Sequence, residues 1–204
     1  MSRYTGPVTK ISRRLGVILF TNGESKIKAF NKKNYKPGEH GQKRFGKKSE
    51  YKKQLEEKQK ARFIYGISEK QSRKYYELAN KNPGVTGIEY LKLLEQRIDN
   101  VVYRAGFATT RAQARQIVSH GLLMINGKRI KTPSIIVKTG DKFEVRDRSK
   151  TSKLFEEIQK QKYKVPKWLK ADVKALKGEV VADPGQDDVE QLIEHQLITE
   201  FYSK

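Results

Sequence analysis

The stretch TTRAQARQIVSHGLLMINGKRI, residues 109–130, constrains the fold more than any other part of the chain. Thr110-Arg111-Ala112-Gln113 has capping-box spacing, in which Thr and Gln side-chain oxygens accept from the unpaired N–H groups of a helix start. Ala114, Ile117 and Val118 follow as a short inward stripe, with Arg111 and Arg115 one turn apart at its edge. Gly121 stands where a helix ends in the left-handed region. Asn126-Gly127, between the runs LLMI and KRI, is the preferred pair for a two-residue type I′ hairpin. The sequence therefore mounts an arginine-bearing helix on a β-hairpin.

An arginine helix needs a polyanion, and the charge balance points the same way. The chain of 204 residues carries 44 Lys and Arg against 23 Asp and Glu, a formal charge of +21. Residues 1–178 alone hold 43 basic and 16 acidic residues, a net +27. Such an excess specifies partners rather than a fold. Between Glu179 and Glu200 there are seven acidic residues and no Lys or Arg. This segment is expected to face away from the polyanion, to meet a basic protein neighbour, or simply to be solvated. No apolar run reaches the length of a spanning helix, and no lipidation signal is present. The start MSRYTGPVTKISRRLG has no apolar signal core, and Gly6-Pro7 breaks an amphipathic transit helix, so the cytoplasm is the expected compartment. Cysteine is absent, which removes disulfides, thiol catalysis and thiolate metal sites.

Residues 1–48 read as an extended basic arm, with glycine, proline and lysine but little periodicity. Its aromatics Tyr35 and Phe45, interleaved with cations, suit base stacking beside phosphates or else pin the arm to its own domain. Ser49 opens a charged helix with Tyr51, Leu55 and Lys58 on one side, stopped by Gly66. Ser68-Glu69-Lys70-Gln71 and Thr86-Gly87-Ile88-Glu89 repeat the capping-box spacing. The first precedes Tyr75, Leu78 and Ala79. The second precedes one long helix whose stripe runs from Ile88 through Leu91, Leu94, Ile98, Val101 and Val102 to Ala105, with Arg97, Asn100 and Arg104 on another side. After the hairpin, SIIV, KTGD and KFEVR predict a second strand pair, Phe143 and Val145 sharing a face. TSKLFEEIQKQK predicts a helix, VPKWLKADVKALKGEVVADPG an irregular stretch, and VEQLIEHQLITEFYSK either helix or strand. Trp168, the sole tryptophan, is read as a packing anchor.

Catalytic material is weak. His40, His120 and His195 are scattered without metal-ligand spacing, and no nucleotide or serine-elbow motif occurs. Asp141 belongs in a hairpin turn, bonding its own backbone. Asp99 is placed to orient an arginine. Binding is the better reading: a convex face bearing Arg104, Arg111, Arg115, His120 and Lys128 would grip phosphates on neighbouring strands without reading sequence. The alternative is that Arg111 and Arg115 only solvate a helix.

The residues RIDNVVYRAGFATTRAQARQIVSHGLLMINGKRIKTPSIIVKTGDKFEVRD resemble the RNA-binding domain first described in ribosomal small-subunit protein S-four. The shared pattern runs through Arg97, Asp99, Arg104, Gly106, Thr110, Arg111, Ala114, Arg115, Val118, His120, Gly121, Asn126, Gly127, Pro133, Ser134, Gly140 and Asp141. That domain also occurs in pseudouridine synthases, some tRNA synthetases and a ribosome-rescue heat-shock protein. MSRYTGP, YKPGEHGQKR, LEEKQKARFIYGISEKQ, GVTGIEYLKLLEQRIDNVVYRAGF and QLITEFYSK extend the likeness to the bacterial ribosomal family over nearly the full length. The resemblance implies binding to the 5′ domain of 16S rRNA early in assembly, with protein S-five as a neighbour. It also implies a position bordering the mRNA entry channel, a contribution to translational accuracy and, in some members, repression of their own operon. The competing readings are an RNA-modifying or ribosome-associated factor using the same module, and a DNA-binding helix-turn-helix protein.

Many bacterial members bind zinc through four cysteines near the N-terminus; here Thr9 and Ser12 stand in the matching stretch VTKISRRLG. The chain is thus expected to be a zinc-less variant with no cofactor, its arm ordered mainly by rRNA. The expected fold is α+β: a basic arm (1–48), a helical domain (49–94), an inserted helix-helix-sheet module (95–157), and a C-terminal segment (158–204) packing back on the helical domain. Expected RNA contacts in the arm are Arg3, Tyr4, Arg13, Arg14, Tyr35, Lys36, His40, Lys43, Arg44, Lys47 and Lys48. Beyond it they are Lys58, Lys60, Arg62 and Arg73, then Arg97, Arg104, Thr110, Arg111, Arg115, His120, Asn126 and Lys128.

Overall fold

A computed structural model of the protein describes residues 4–19, 24–33, 35–42, 47–160 and 163–203. The helices among them are α1 (Val8–Leu15), α2 (Glu24–Lys32), α3 (Glu50–Tyr65), α4 (Glu69–Ala79), α5 (Thr86–Glu95), α6 (Ile98–Arg104), α7 (Arg111–Ser119), α8 (Asp147–Lys150), α9 (Lys153–Gln159) and α10 (His195–Tyr202). The strands are β1 (Leu123–Ile125), β2 (Lys128–Ile130), β3 (Lys142–Val145), β4 (Leu169–Asp172) and β5 (Lys177–Val180). The fold is α+β, helices with one antiparallel sheet in the order β2-β1-β3-β5-β4. One compact unit comprises residues 1–78 and 192–204, and a second comprises 79–191. The second unit therefore starts before the expected 94/95 boundary and runs past 157, because it includes α5 and the strands that complete the sheet.

The first unit follows its capping signals. Ser49 Oγ accepts from Lys52 N at 3.4 Å, and Gly66 closes α3 at φ 63°. Ser68 Oγ likewise accepts from Gln71 N at 3.3 Å. Of the stretch VEQLIEHQLITEFYSK, open to either assignment from sequence, His195–Tyr202 form the helix α10, which packs on α3. Ile198 is fully buried, Phe201 lies 5.8 Å from Tyr51 between ring centres, and Gln54 Nε2 donates to Glu200 Oε2 at 2.7 Å. Leu78, expected beside Tyr75 and Ala79, is exposed instead. The arm departs from its expected extended form at α1 and α2. Ile11 and Leu15 bury one turn apart with Leu19, whose N–H donates to Ser12 Oγ at 3.3 Å. Two buried residues make too short a stripe to stand out from a lysine-rich composition.

In the second unit the expected long helix is two helices. Gln96 caps α5 and Arg97 is extended, with φ −65° and ψ 135°. The break has a tertiary cause. Ile98 N donates to Ile135 O at 2.8 Å, Val137 N donates to Gln96 O at 3.0 Å, and Arg97 bridges Ile136 antiparallel. SIIV therefore spends its backbone on the helix junction and does not pair with KFEVR. Thr86 is the first residue of α5, one place inside the cap expected for it, and Val85 is the N-cap.

β3 pairs with β1 (Val145↔Leu123, Phe143↔Ile125) and with β5 (Phe143↔Gly178). The stretch expected to be irregular is a hairpin, β4–β5, with Lys170↔Glu179 and Asp172↔Lys177 opposed. Its left-handed turn residue is Leu176 (φ 54°), a residue type that turn rules do not place there. Phe143 and Val145 do share the buried face, packed with Val101, Phe107, Ile117, Phe155 and Trp168. Trp168 is 2% exposed and serves as the anchor expected of it.

Candidate nucleic-acid interface

The arginine helix is built as its sequence dictates. Thr110 Oγ1 accepts from Gln113 N at 3.1 Å, so this threonine is a cap. The reciprocal half of the box closes one residue early, on Thr109, whose N–H donates to Gln113 Oε1 at 2.6 Å. Gly121 takes φ 68° beyond α7, and Asn126 and Gly127 take φ 49° and 77°, as a type I′ turn needs. The register Leu123↔Ile130 and Ile125↔Lys128 follows from that turn. Asn126 also brackets the next turn: its Nδ2 donates to Asp141 Oδ1 at 2.8 Å and its Oδ1 accepts from Lys142 N at 2.9 Å. Asp141 accepts from Lys138 N at 2.8 Å, the local backbone bond expected of a turn carboxylate.

The expected arginines separate into two groups. Arg97 is fully buried, its Nε and Nη2 donating to Asp99 Oδ1 and Oδ2 at 3.0 and 2.6 Å. This corrects its expected place on the basic face: it holds the α5–α6 junction, and Asp99 is the orienting carboxylate. Arg115 stands 3.6 Å from the same carboxylate with its side chain 13% exposed. Arg104 and Arg111 form the other group. Arg104 donates through Nε and Nη2 to the buried Glu95 at 2.9 and 2.8 Å. Arg111 donates through Nε to Asn100 Oδ1 at 2.8 Å, and its guanidinium stacks 4.7 Å over the Tyr103 ring. Both reach Glu190, Arg111 Nη2 at 2.8 Å and Arg104 Nη2 at 3.5 Å. Part of the acidic segment is therefore paired with the chain's own cations. Glu95 gave no signal in the sequence, because its partners are fixed by the helix break that follows it.

His120 and Lys128 are exposed. Beside them lie two cations that the sequence reading missed. Arg129 Nε and Arg146 Nη1 both donate to Gly121 O, at 3.0 and 3.4 Å, and Arg129 Nη2 reaches His120 O at 3.4 Å. Cations at a helix C-terminus are favoured by its dipole. The alternation in KRIK was the available hint.

In the first unit, Lys58 and Lys60 are buried, which corrects them as surface contacts. Lys58 donates to Glu69 at 2.8 Å with its ammonium 4.3 Å from the Phe201 ring centre, and Lys60 donates to Leu192 O at 3.1 Å and pairs with Glu57. Arg62 also meets Glu69, at 2.9 Å. Burial raises the Glu69 carboxyl, but the bonds from Lys58 and Tyr202 and the charges of Lys58 and Arg62 outweigh it and hold the group below its ordinary value. Arg73 pairs with Glu77 and Lys48 with Glu56. Arg13 donates to Tyr35 O at 3.0 Å and lies 4.8 Å over its ring, a contact inside the arm. Arg14 donates to Gln59 at 3.1 Å, and Tyr4 packs edge-on against Phe63. Lys36 is half-buried, whereas His40 and Lys47 are exposed. Arg3, Lys43, Arg44 and Phe45 lie outside the described residues.

Among the described residues no group of His, Asp or Glu side chains is arranged to hold a metal ion, and no helix is long and apolar enough to cross a membrane. Comparison with known proteins matches residues 3–95 to the ribosomal protein S4/S9 N-terminal domain and residues 96–143 to the S4 domain. The small ribosomal subunit protein uS4 of Natranaerobius thermophilus is 47% identical over 209 residues, covering all of both chains. Those of Halothermothrix orenii and Chloroflexus aurantiacus are 45% and 46% identical, again over the full length of both. With residues 3–143 matched and this identity sustained end to end, the protein belongs to the uS4 family of small ribosomal subunit proteins.

Proposed function

We propose that the chain is a structural constituent of the small ribosomal subunit that binds the 5′ domain of 16S rRNA early in assembly. It is not an enzyme; its family is one of ribosomal proteins. The observation that carries the RNA reading is the crowding of cations around one helix end. Arg129 and Arg146 converge on the Gly121 carbonyl at 3.0 and 3.4 Å, His120 and Lys128 are exposed beside them, and Arg111 and Arg115 line α7. The type I′ turn fixes the register of the hairpin that carries Lys128 and Arg129, which suits phosphates whose positions are fixed by folded RNA. Arg104 completes the face; His40 and Lys47, exposed in the first unit, are further candidate contacts in their own right. A site in the cytoplasmic ribosome beside protein S-five and the mRNA entry channel, with a part in translational accuracy, follows from the family resemblance.

Affinity for a 16S 5′-domain fragment should fall steeply with salt. Six to ten phosphate contacts correspond to a log-log slope of roughly −4 to −9. Filter binding across a salt series, with duplex DNA as competitor, measures it. A slope near zero, or equal competition by DNA, would contradict the proposal.

A further inference from the structure

We propose that Glu190 is a stand-in for an RNA phosphate, holding Arg104 and Arg111 in the free protein and yielding them to the phosphodiester backbone on binding. The inference rests on reading the α6–α7 face as the RNA interface, and it adds a regulating contact to that face.

Each arginine is held twice, by different kinds of partner. The inner hold belongs to the fold. Arg104 Nε is fixed by Glu95, which is fully buried, and Arg111 Nε by Asn100, which is 2% exposed. The outer contact is Glu190, 2.8 Å from Arg111 Nη2 and 3.5 Å from Arg104 Nη2, a nitrogen that also donates to Glu95 Oε1 at 2.8 Å; the Glu190 side chain is 20% exposed. Removing Glu190 therefore takes a carboxylate from Arg111 Nη2 and a longer contact from Arg104, while Asn100 and Glu95 go on aiming the two guanidiniums. A phosphate oxygen and a carboxylate oxygen make the same charge-assisted bond to that geometry.

The segment carrying Glu190, between β5 and α10, contains no helix or strand but is anchored along its length, so the exchange asks only the Glu190 side chain to turn away. Val181 and Ala182 N–H donate to Trp168 O at 2.9 and 3.3 Å, Leu192 O accepts from Lys60 at 3.1 Å, and Ile193 is buried. Asp183 Oδ1 accepts from Gln96 Nε2 at 3.0 Å and Thr139 Oγ1 at 3.3 Å, and Val189 is buried to 8% exposure. The acidic residues from Glu179 to Glu200 have no Lys or Arg among them, so a freed Glu190 is repelled by RNA and by its own neighbours. The exchange trades one anion for another at the arginines. It releases condensed cations from the RNA, so low salt favours RNA and high salt favours Glu190.

The test uses the full chain and a 16S 5′-domain fragment. Glu190→Gln keeps the shape and removes the competing charge; it should bind roughly threefold to tenfold tighter, with a steeper salt slope. Asp187→Asn removes a nearby exposed charge that makes no ion pair in the structure and should change affinity by less than about twofold. Equal gains from the two variants would reduce the effect to general charge and overturn the proposal. So would weaker binding by Glu190→Gln, which would make Glu190 an aid to positioning Arg111. Arg111→Ala is the separate check on the interface. If it binds like the wild type, the α6–α7 reading fails and the proposal goes with it. If it binds more weakly while Glu190→Gln shows no gain, the interface stands and the exchange does not.

Discussion

Asp99→Ala should cost about 3–5 kcal/mol of stability, the range for removing one member of a buried ion pair. Asp99 is 4% exposed and is the carboxylate to which fully buried Arg97 donates through two nitrogens. Truncating it removes the carboxylate from a buried guanidinium at the α5–α6 junction, where the helix breaks to pair with residues 133–137. The loss also takes this carboxylate from Arg115, 3.6 Å away, so RNA affinity should drop even where the variant remains folded. Asp99→Asn, which keeps one acceptor, should lose less. Chemical denaturation followed by circular dichroism checks both. A loss under about 1 kcal/mol for Asp99→Ala would mean that Arg97 finds another anion or water, and that the pair does not hold the junction.

Deleting residues 195–204 should destabilise the first unit by about 4 kcal/mol or more, since the loss of one buried Ile alone costs about 2–5 kcal/mol. The deletion removes Ile198 (fully buried), the Phe201 ring over the Lys58 ammonium, and Tyr202, which stacks 4.7 Å from Tyr76 and donates to Glu69 at 3.0 Å. Lys58, itself 7% exposed, would keep its bond to Glu69 but lose its aromatic cover. Thermal unfolding of the truncated chain should show an early transition that the full chain lacks. A single unchanged transition would make α10 dispensable.

What the sequence disclosed was local. Ser49, Ser68 and Thr110 act as caps, and Asn126-Gly127 turns as its residue types require, because each rests on neighbours within four positions. The hidden features were set at a distance. The α5–α6 break at Arg97 comes from residues 133–137, about forty positions on, and overrides a stripe that reads as continuous helix. β3 pairs with β5 more than thirty residues later, and the intervening hairpin turns on Leu176 rather than on a glycine or asparagine. Arg111 meets Glu190 from 79 positions away, so no window along the chain shows that the arginine already has an anion. The arm's helices were hidden by composition, Ile11 and Leu15 being the only buried apolar pair in α1, within a basic arm. The proposed face was thus legible as a set of residue types and a hairpin, and its internal pairing was not.

The most direct test of the central claim is sedimentation of the tagged full-length chain from a bacterial lysate through a gradient at moderate salt. Incorporation into the small ribosomal subunit predicts that the chain runs with small subunits and stays with them through the salt wash. Recovery at the top of the gradient, with small subunits free of the chain, would contradict it.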